Sequence, residues 1–145
     1  MRFNFKIIDK KDINSIIPLI QKLTNNTNSD ALLKERFADM VDENYECAGV
    51  FDSEASDNKL IGICGMWFQT RHYCGKSMEV DHFYIDDAFQ GIGLGKAFSK
   101  WLCNYAKSRG CNTSELNTYV QNYPSHKFYY NAGYEIYGYH FYKTL

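Results

Sequence analysis

The stretch Gln90-Gly91-Ile92-Gly93-Leu94-Gly95-Lys96 follows a strongly apolar, strand-like run and opens an amphipathic helical pattern. Glycines let a backbone turn tightly and bring successive N–H groups close to a bound group. A helix N-terminus adds unpaired donors and the positive end of a macrodipole. Together these predict an anion site, with phosphate or pyrophosphate as the natural guest. Spacing then separates three kinds of glycine-rich loop. A Walker A loop needs Gly-Lys followed by Ser or Thr, whereas Ala97 follows Lys96. A dinucleotide fingerprint needs its third glycine where this chain has Lys96, and belongs to an opening βαβ unit. What fits is Gln90-x-x-Gly93-x-Gly95.

Downstream, Leu94, Ala97, Phe98, Trp101, Leu102, Tyr105 and Ala106 recur at three and four residues, and Gly110 supplies a stop. This aromatic stripe reads as core packing. Upstream, Phe3–Ile8 reads as a strand. Ile13, Ile16, Ile17, Ile20 and Leu23 share a helical face that Pro18 must kink or restart. Ser29 is placed to cap a second helix burying Leu33, Phe37, Met40 and Val41. Strands are predicted at Tyr45–Phe51, Leu60–Gln69, Lys76–Ile85 and Thr113–Val120, the first three as an antiparallel meander. A short helix over Pro124–Asn131 and an aromatic strand pair within Tyr134–Leu145 close the chain. The whole reads as one α+β domain, residues 1–145.

A second motif, Asn122-Tyr123-Pro124-Ser125-His126-Lys127-Phe128-Tyr129-Tyr130-Asn131-Ala132-Gly133-Tyr134, fits Asn-x₅-Phe-Tyr-x₃-Gly-Tyr. With the glycine loop ahead of it, the chain from about Cys47 onward resembles the GNAT superfamily of N-acetyltransferases. The resemblance implies a mixed, mostly antiparallel central sheet flanked by helices on both faces. It also implies acetyl-CoA as acyl donor, no metal, and direct transfer to a primary amine on a small molecule or peptide. Gln90, Gly91, Ile92, Gly93, Leu94, Gly95 and Lys96 then match the pyrophosphate cradle. Phe83, Tyr84 and Ile85 match the strand segment whose backbone meets the pantetheine arm and acetyl group, and Asn122 and Tyr129 flank the cofactor.

Amine acetylation needs a proton acceptor for the attacking amine, donors for the tetrahedral oxyanion and an acid for the departing thiolate. Tyr129 occupies the position of the family's acid, and a phenol with a pKa of about 10 suits that task. Its neighbour Tyr130 makes the register a question. For the base, strand alternation places Glu79, Asp81 and Phe83 on one face and Val80, His82 and Tyr84 on the other. Counted back from the glycine loop, the resemblance implies Glu79 or Asp81 as the base. His82 ranks third, since only a bulge would bring it to their face. Asn117 stands where another branch carries a carboxylate, and closes that route. Asn122 reads equally as a helix cap.

A formal net charge of −1 with dispersed lysines and arginines leaves no footprint for nucleic acid or an anionic membrane. Five cysteines without C-x-x-C or metal-type spacing read as reduced thiols in a cytoplasmic protein. Met1–Lys6 has no apolar core of an export signal, and no run is long enough to span a bilayer. A homodimer is compatible with all of this. The reading from another class is a catalytically silent acyl-CoA-binding sensor or interaction domain. The acceptor-binding parts, including Asp30, Glu35, Tyr137, Tyr139 and Tyr142, are the least diagnostic.

Overall fold

The computed structural model describes residues 1–145. Five strands, β1 (Phe3–Ile7), β2 (Tyr45–Asp52), β3 (Lys59–Arg71), β4 (Gly75–Ile85) and β5 (Thr113–Leu116), form one sheet in the order β1-β2-β3-β4-β5. The first four pair antiparallel, and β4 pairs β5 parallel. A 3₁₀ turn at Lys10–Ile16 leads into α1 (Ile17–Thr24), then α2 (Asp30–Val41). After the sheet's meander come α3 (Leu94–Ser108) and α4 (Tyr123–Asn131). This is the mixed, mostly antiparallel α+β architecture expected. No helix is long and apolar enough to cross a membrane.

Local chemistry explains the helix boundaries. Pro18 falls in the first turn of α1, where its missing N–H costs nothing, so the pattern restarts there as a new helix. The Ser29 side chain accepts from the Leu32 N–H and starts α2. Gly110, at φ +82°, ends α3 in the left-handed conformation that a Cβ would strain. Two expected core positions are not core: Leu23 is exposed at the end of α1, and Ala97 is exposed on α3.

The sheet separates two apolar layers. Under α3 lie Val50, Ile61, Met66, Met78, Val80 and Ile85, packed on Leu94, Phe98 and Leu102. Under α1 and α2 lie Ile13, Ile16, Ile20, Leu33 and Phe37, packed on Tyr45, Cys47 and Ile63. Phe98 and Ile16 are wholly shielded, each worth about 1.5–3 kcal/mol of burial.

Two irregularities of β4 matter for function. Cys64 faces Phe83 and Met66 faces Val80, so Gly65 alone opposes both Asp81 and His82. The extra residue is a β-bulge, and it reverses the strand's alternation. Met78 and Val80 face α3 before it; Phe83 and Ile85 face α3 after it, while His82 and Tyr84 turn toward α1 and α2. Secondly, β5 pairs only with Ser77–Val80. From Asp81 to Ile85 the edge of β4 has no strand beside it.

The last part of the chain departs from expectation. β5 stops at Leu116 instead of Val120, and residues 134–145 form no strand pair. Aromatic alternation marks a segment able to pair, but pairing needs an edge and a surface to cover, and this segment lies on neither within its own chain.

A Cβ on Gly65 would lie 2.3 Å from Nε2 of His82 and 2.6 Å from its Cδ2. Gly65→Ala therefore displaces the His82 ring or opens the bulge, at a cost of about 1–3 kcal/mol. The expected outcome is a melting temperature lowered by several degrees with an unchanged far-ultraviolet circular dichroism spectrum. A parent-like melting temperature would show that this close approach is not a constraint.

Candidate active site

The glycine loop is held from below by charge and by an amide. Asp86, buried at the end of β4, caps the 3₁₀ turn Asp87–Phe89 by accepting from the Ala88 N–H at 3.2 Å. Its other oxygen accepts from Lys22 Nζ of α1 at 2.8 Å, and that hydrogen bond holds the carboxyl below the usual carboxylate range against the effect of burial. Gln90 donates through Nε2 to the Ile85 carbonyl at 2.8 Å and to Asp87 Oδ1 at 3.0 Å. Gln90 thus ties the loop to the strand end with the amide that the motif suggested for ligand contact.

Gly91 and Gly93 have φ of +79° and +82°. A Cβ on either would meet nothing within 4 Å, so what requires glycine there is backbone conformation, and the space above is open. Gly93 caps α3 with no side-chain hydrogen bond, and Ala97 N–H closes onto the Gly93 carbonyl at 3.1 Å. The N–H groups of Leu94, Gly95 and Lys96 therefore lack helical acceptors. Lys96 and Ile92 are exposed, and Lys96 makes no ion pair. Three N–H groups without helical acceptors and the exposed Lys96 side chain thus lie at the start of α3, beside the open loop.

Phe83 links this cradle to the second motif. Its ring lies 5.5 Å from Phe98 of α3 and 5.6 Å from Phe128 of α4, between centroids. Phe128 also lies beneath Gly95, 3.6 Å from where a Cβ would be. α4 is thereby fastened against both the unpaired part of β4 and the loop helix. On it, Tyr129 meets Phe128 and Tyr134 edge-on at 5.2 and 5.6 Å. Its hydroxyl has no protein hydrogen-bond partner, and burial pushes the phenol well above its ordinary pKa. Tyr130 is exposed on the other side. Asn122 is the cap of α4, accepting from the Ser125 N–H at 3.4 Å.

On the α1 and α2 side, the bulge gathers polar groups that alternation had separated. Glu79 accepts from Gln69 Nε2 at 2.9 Å and Arg71 Nη2 at 3.2 Å. Arg71 is shared with Glu115 at 2.8 Å, and Glu115 also takes the Ser77 hydroxyl. Asp81, exposed at the bulge, accepts only from Trp67 Nε1, at 2.9 Å. His82, expected on the opposite face, lies on this one. Its Nε2 meets the hydroxyl of buried Tyr45 at 2.5 Å, its ring lies edge-on to Phe37, and its shielded Nδ1 has no partner. Burial pushes its pKa down to about 4, only partly offset by Asp81.

Gly65, Tyr45 and Trp67 are the residues that motif reading missed. A glycine inside a strand run is the signal for Gly65, since it marks a bulge or a close approach. Tyr45 and Trp67 carry no local signal. Asn117 lies beyond the end of β5 and is exposed, and Tyr137, Tyr139 and Tyr142 are exposed to solvent. A separate recess of about 240 Å³, lined by Ile7, Ile8, Ile13, Val41, Tyr45 and Cys47 among others, contains neither the loop nor Tyr129.

Residues 14–134 match the model of the acetyltransferase (GNAT) family. The chain is 24% identical over 140 residues to the human spermidine/spermine N(1)-acetyltransferase-like protein 1, spanning 90% of itself but only a fifth of that protein's length. It is 22% identical over 137 residues to the aminoalkylphosphonate N-acetyltransferase of Salmonella typhimurium, covering 93% of this chain and 86% of that one. In fold it is similar to a ribosomal-protein-alanine N-acetyltransferase from Brucella melitensis, with a TM-score of 0.79, 17% identity and both chains fully covered.

His82 supplies a pH signature of the bulge. The folded ring stays neutral down to about pH 4, whereas the unfolded ring takes a proton near 6.5. Between these values the unfolded state binds more protons, so stability rises with pH across the window and is flat above it. The upper limit of the effect is about 3 kcal/mol. In urea unfolding from pH 4.5 to 7.5, the stability difference between parent and His82→Gln should grow with pH. A difference constant over that range would place His82 in contact with solvent.

Proposed function

The chain belongs to the GNAT family of acetyltransferases, and from that premise we propose that it moves the acetyl group of acetyl-CoA directly to a primary amine. The observation that carries this reading is the free edge of β4, Asp81–Ile85, running from the bulge to the donor-rich loop with the Tyr129 helix packed against it. The N–H groups of residues 91–96 and the Lys96 ammonium hold the pyrophosphate. Unpaired backbone groups of Phe83–Ile85 hold the pantetheine arm and donate to the carbonyl oxygen as it becomes an oxyanion.

Asp81 takes the proton from the attacking amine. It is the first residue past the last β4–β5 pair, and one of its oxygens is uncommitted. Glu79, already engaged by Gln69 and Arg71, shapes the electrostatics of the acceptor face instead. As the carbon–sulfur bond breaks, Tyr129 gives its proton to the coenzyme A thiolate; its unshared hydroxyl and raised pKa keep it protonated until then. The carboxylates Glu79, Asp81 and Glu115 beside Trp67 favour a cationic amine, and the names of the spermidine/spermine and aminoalkylphosphonate relatives support an alkyl amine acceptor. The five free thiols, two of them buried, support action in a reducing compartment.

Gly93→Val forces a β-branched residue into φ +82° and should weaken acetyl-CoA binding, measured calorimetrically, by tenfold or more as an order of magnitude, before the domain unfolds. Parent-like affinity would mean that the pyrophosphate sits elsewhere.

Tyr129→Phe should lower kcat by about 10²-fold with little change in acetyl-CoA affinity. Loss in Tyr130→Phe alone would shift the acid by one residue. Asp81→Asn should lose turnover most at low pH and recover as the acceptor deprotonates in solution, whereas the same profile in Glu79→Gln alone would transfer the role of base to Glu79. Tight acetyl-CoA binding with no turnover across a panel of alkyl amines would favour the silent sensor.

A further inference from the structure

The way α4 ends places a second tyrosine against Tyr129. Gly133, at φ +95°, turns the chain back in the left-handed conformation, and the Tyr134 N–H then reaches the Tyr129 carbonyl at 3.0 Å. This is the Schellman closure, which brings together the side chains at its two ends. Here those ends are Tyr129 and Tyr134, whose rings meet edge-on with centroids 5.6 Å apart. The Tyr134 hydroxyl in turn shares a hydrogen bond of 2.6 Å with the Ser114 hydroxyl. Ser114 belongs to β5 and stands beside Met78 of β4, so its side chain lies on the α3 face of the sheet. Burial pushes the Tyr134 phenol up to about 12, so it stays protonated and this tether is intact at neutral pH.

Resting on the reading of Tyr129 as the acid, we propose that Tyr134 and Ser114 are its positioning residues: their hydrogen bond fixes the Tyr129 ring against the sheet, at a set distance from the free edge of β4. Tyr129 has no hydrogen bond of its own within the protein. Phe128 precedes it on the same helix, and the contact of Phe128 with Phe83 is apolar packing, which is not directional. A hydrogen bond is directional. The path from the acid back to β4 is therefore one ring contact, one pair of hydroxyls and the parallel ladder that joins β5 to Ser77–Val80. Packing against Tyr129 would be met equally by phenylalanine at position 134. What the Tyr134 hydroxyl adds is the anchor on β5. Proton transfer to a thiolate needs hydrogen-bond reach, and a misplacement of about 1 Å costs up to about 10²-fold in rate.

The test is a mutant cycle on the full chain, with acetyl-CoA and the fastest acceptor of an alkyl-amine panel that includes spermidine. Tyr134→Phe and Ser114→Ala should each lower kcat by about tenfold at an unchanged KM for acetyl-CoA, and the two together by no more than either alone. In a Tyr129→Phe background neither should lower kcat further, because no acid remains to be positioned. An equal loss in both backgrounds, or parent-like kcat in both single variants, would overturn the positioning role and leave the acid standing. Parent-like turnover in Tyr129→Phe, or no turnover of any amine by the parent, would remove the acid and this proposal with it. Fluorotyrosine labelling adds a reading that needs no acceptor. The Tyr129 fluorine resonance, assigned by its loss in Tyr129→Phe, should shift or broaden in Ser114→Ala; an unmoved resonance would show that Ser114 does not hold the ring.

Discussion

Opposite Gly65, two residues of β4 share the space that one would normally fill, and the arrangement of the active site follows from that extra residue. Without it, strict alternation would turn Phe83 and Ile85 away from α3, and the aromatic contacts joining β4 to α3 and α4 would be lost. With it, Asp81 and His82 both turn to the side of α1 and α2. The bulge can exist because Gly65 has no Cβ: the His82 ring occupies that volume and is fixed there by Tyr45 and Phe37. A backbone irregularity of one residue thus sets which side chains of β4 meet α3 and which meet the layer of α1 and α2.

The glycine loop depends on this strand in turn. Its donors are useful only if they stand at a fixed distance from the edge of β4, and three contacts secure that distance. Gln90 binds the strand's last carbonyl, Asp86 couples the turn to Lys22 on α1, and Phe83 packs against Phe98. The Lys22–Asp86 pair is half-exposed on the lysine side, so its effect is orientation more than energy. Positive charge from Lys96 and the start of α3 lies toward one end of the unpaired edge of β4, and the carboxylates of β4 and β5 toward the other. On the proposed reading, this separation of charge suits an anionic donor at one end of the edge and a cationic acceptor at the other.

Much of the fold, including the glycine turn that opens α3 and the cap of α4, was legible in local chemistry. The periodicity of α3, the Ser29 cap, the restart at Pro18 and the meander were all written in residues close together in sequence. Of the two tyrosines in the motif, Tyr129 is partly shielded and Tyr130 exposed, as helical phase separates neighbours in sequence. His82 was misplaced because alternation is a local rule, and a bulge depends on what the facing strand can accommodate. The strand pair expected within Tyr134–Leu145 failed for a related reason: strand propensity describes a segment, and pairing requires a second one.

The sequence by itself determined the order of elements as far as α4, the glycine turn that opens α3 and its stop at Gly110, because each depends on residues a few positions apart. Only the tertiary structure decided the remainder. It set the parity of β4 beyond Gly65, the point at which β4 leaves β5, the engagement of Glu79 by Arg71, the closed environment of His82 and the solvent exposure of the last aromatic segment. These are properties of residues brought together from distant parts of the chain, where the volume and hydrogen-bonding capacity of one strand determine what its neighbour does.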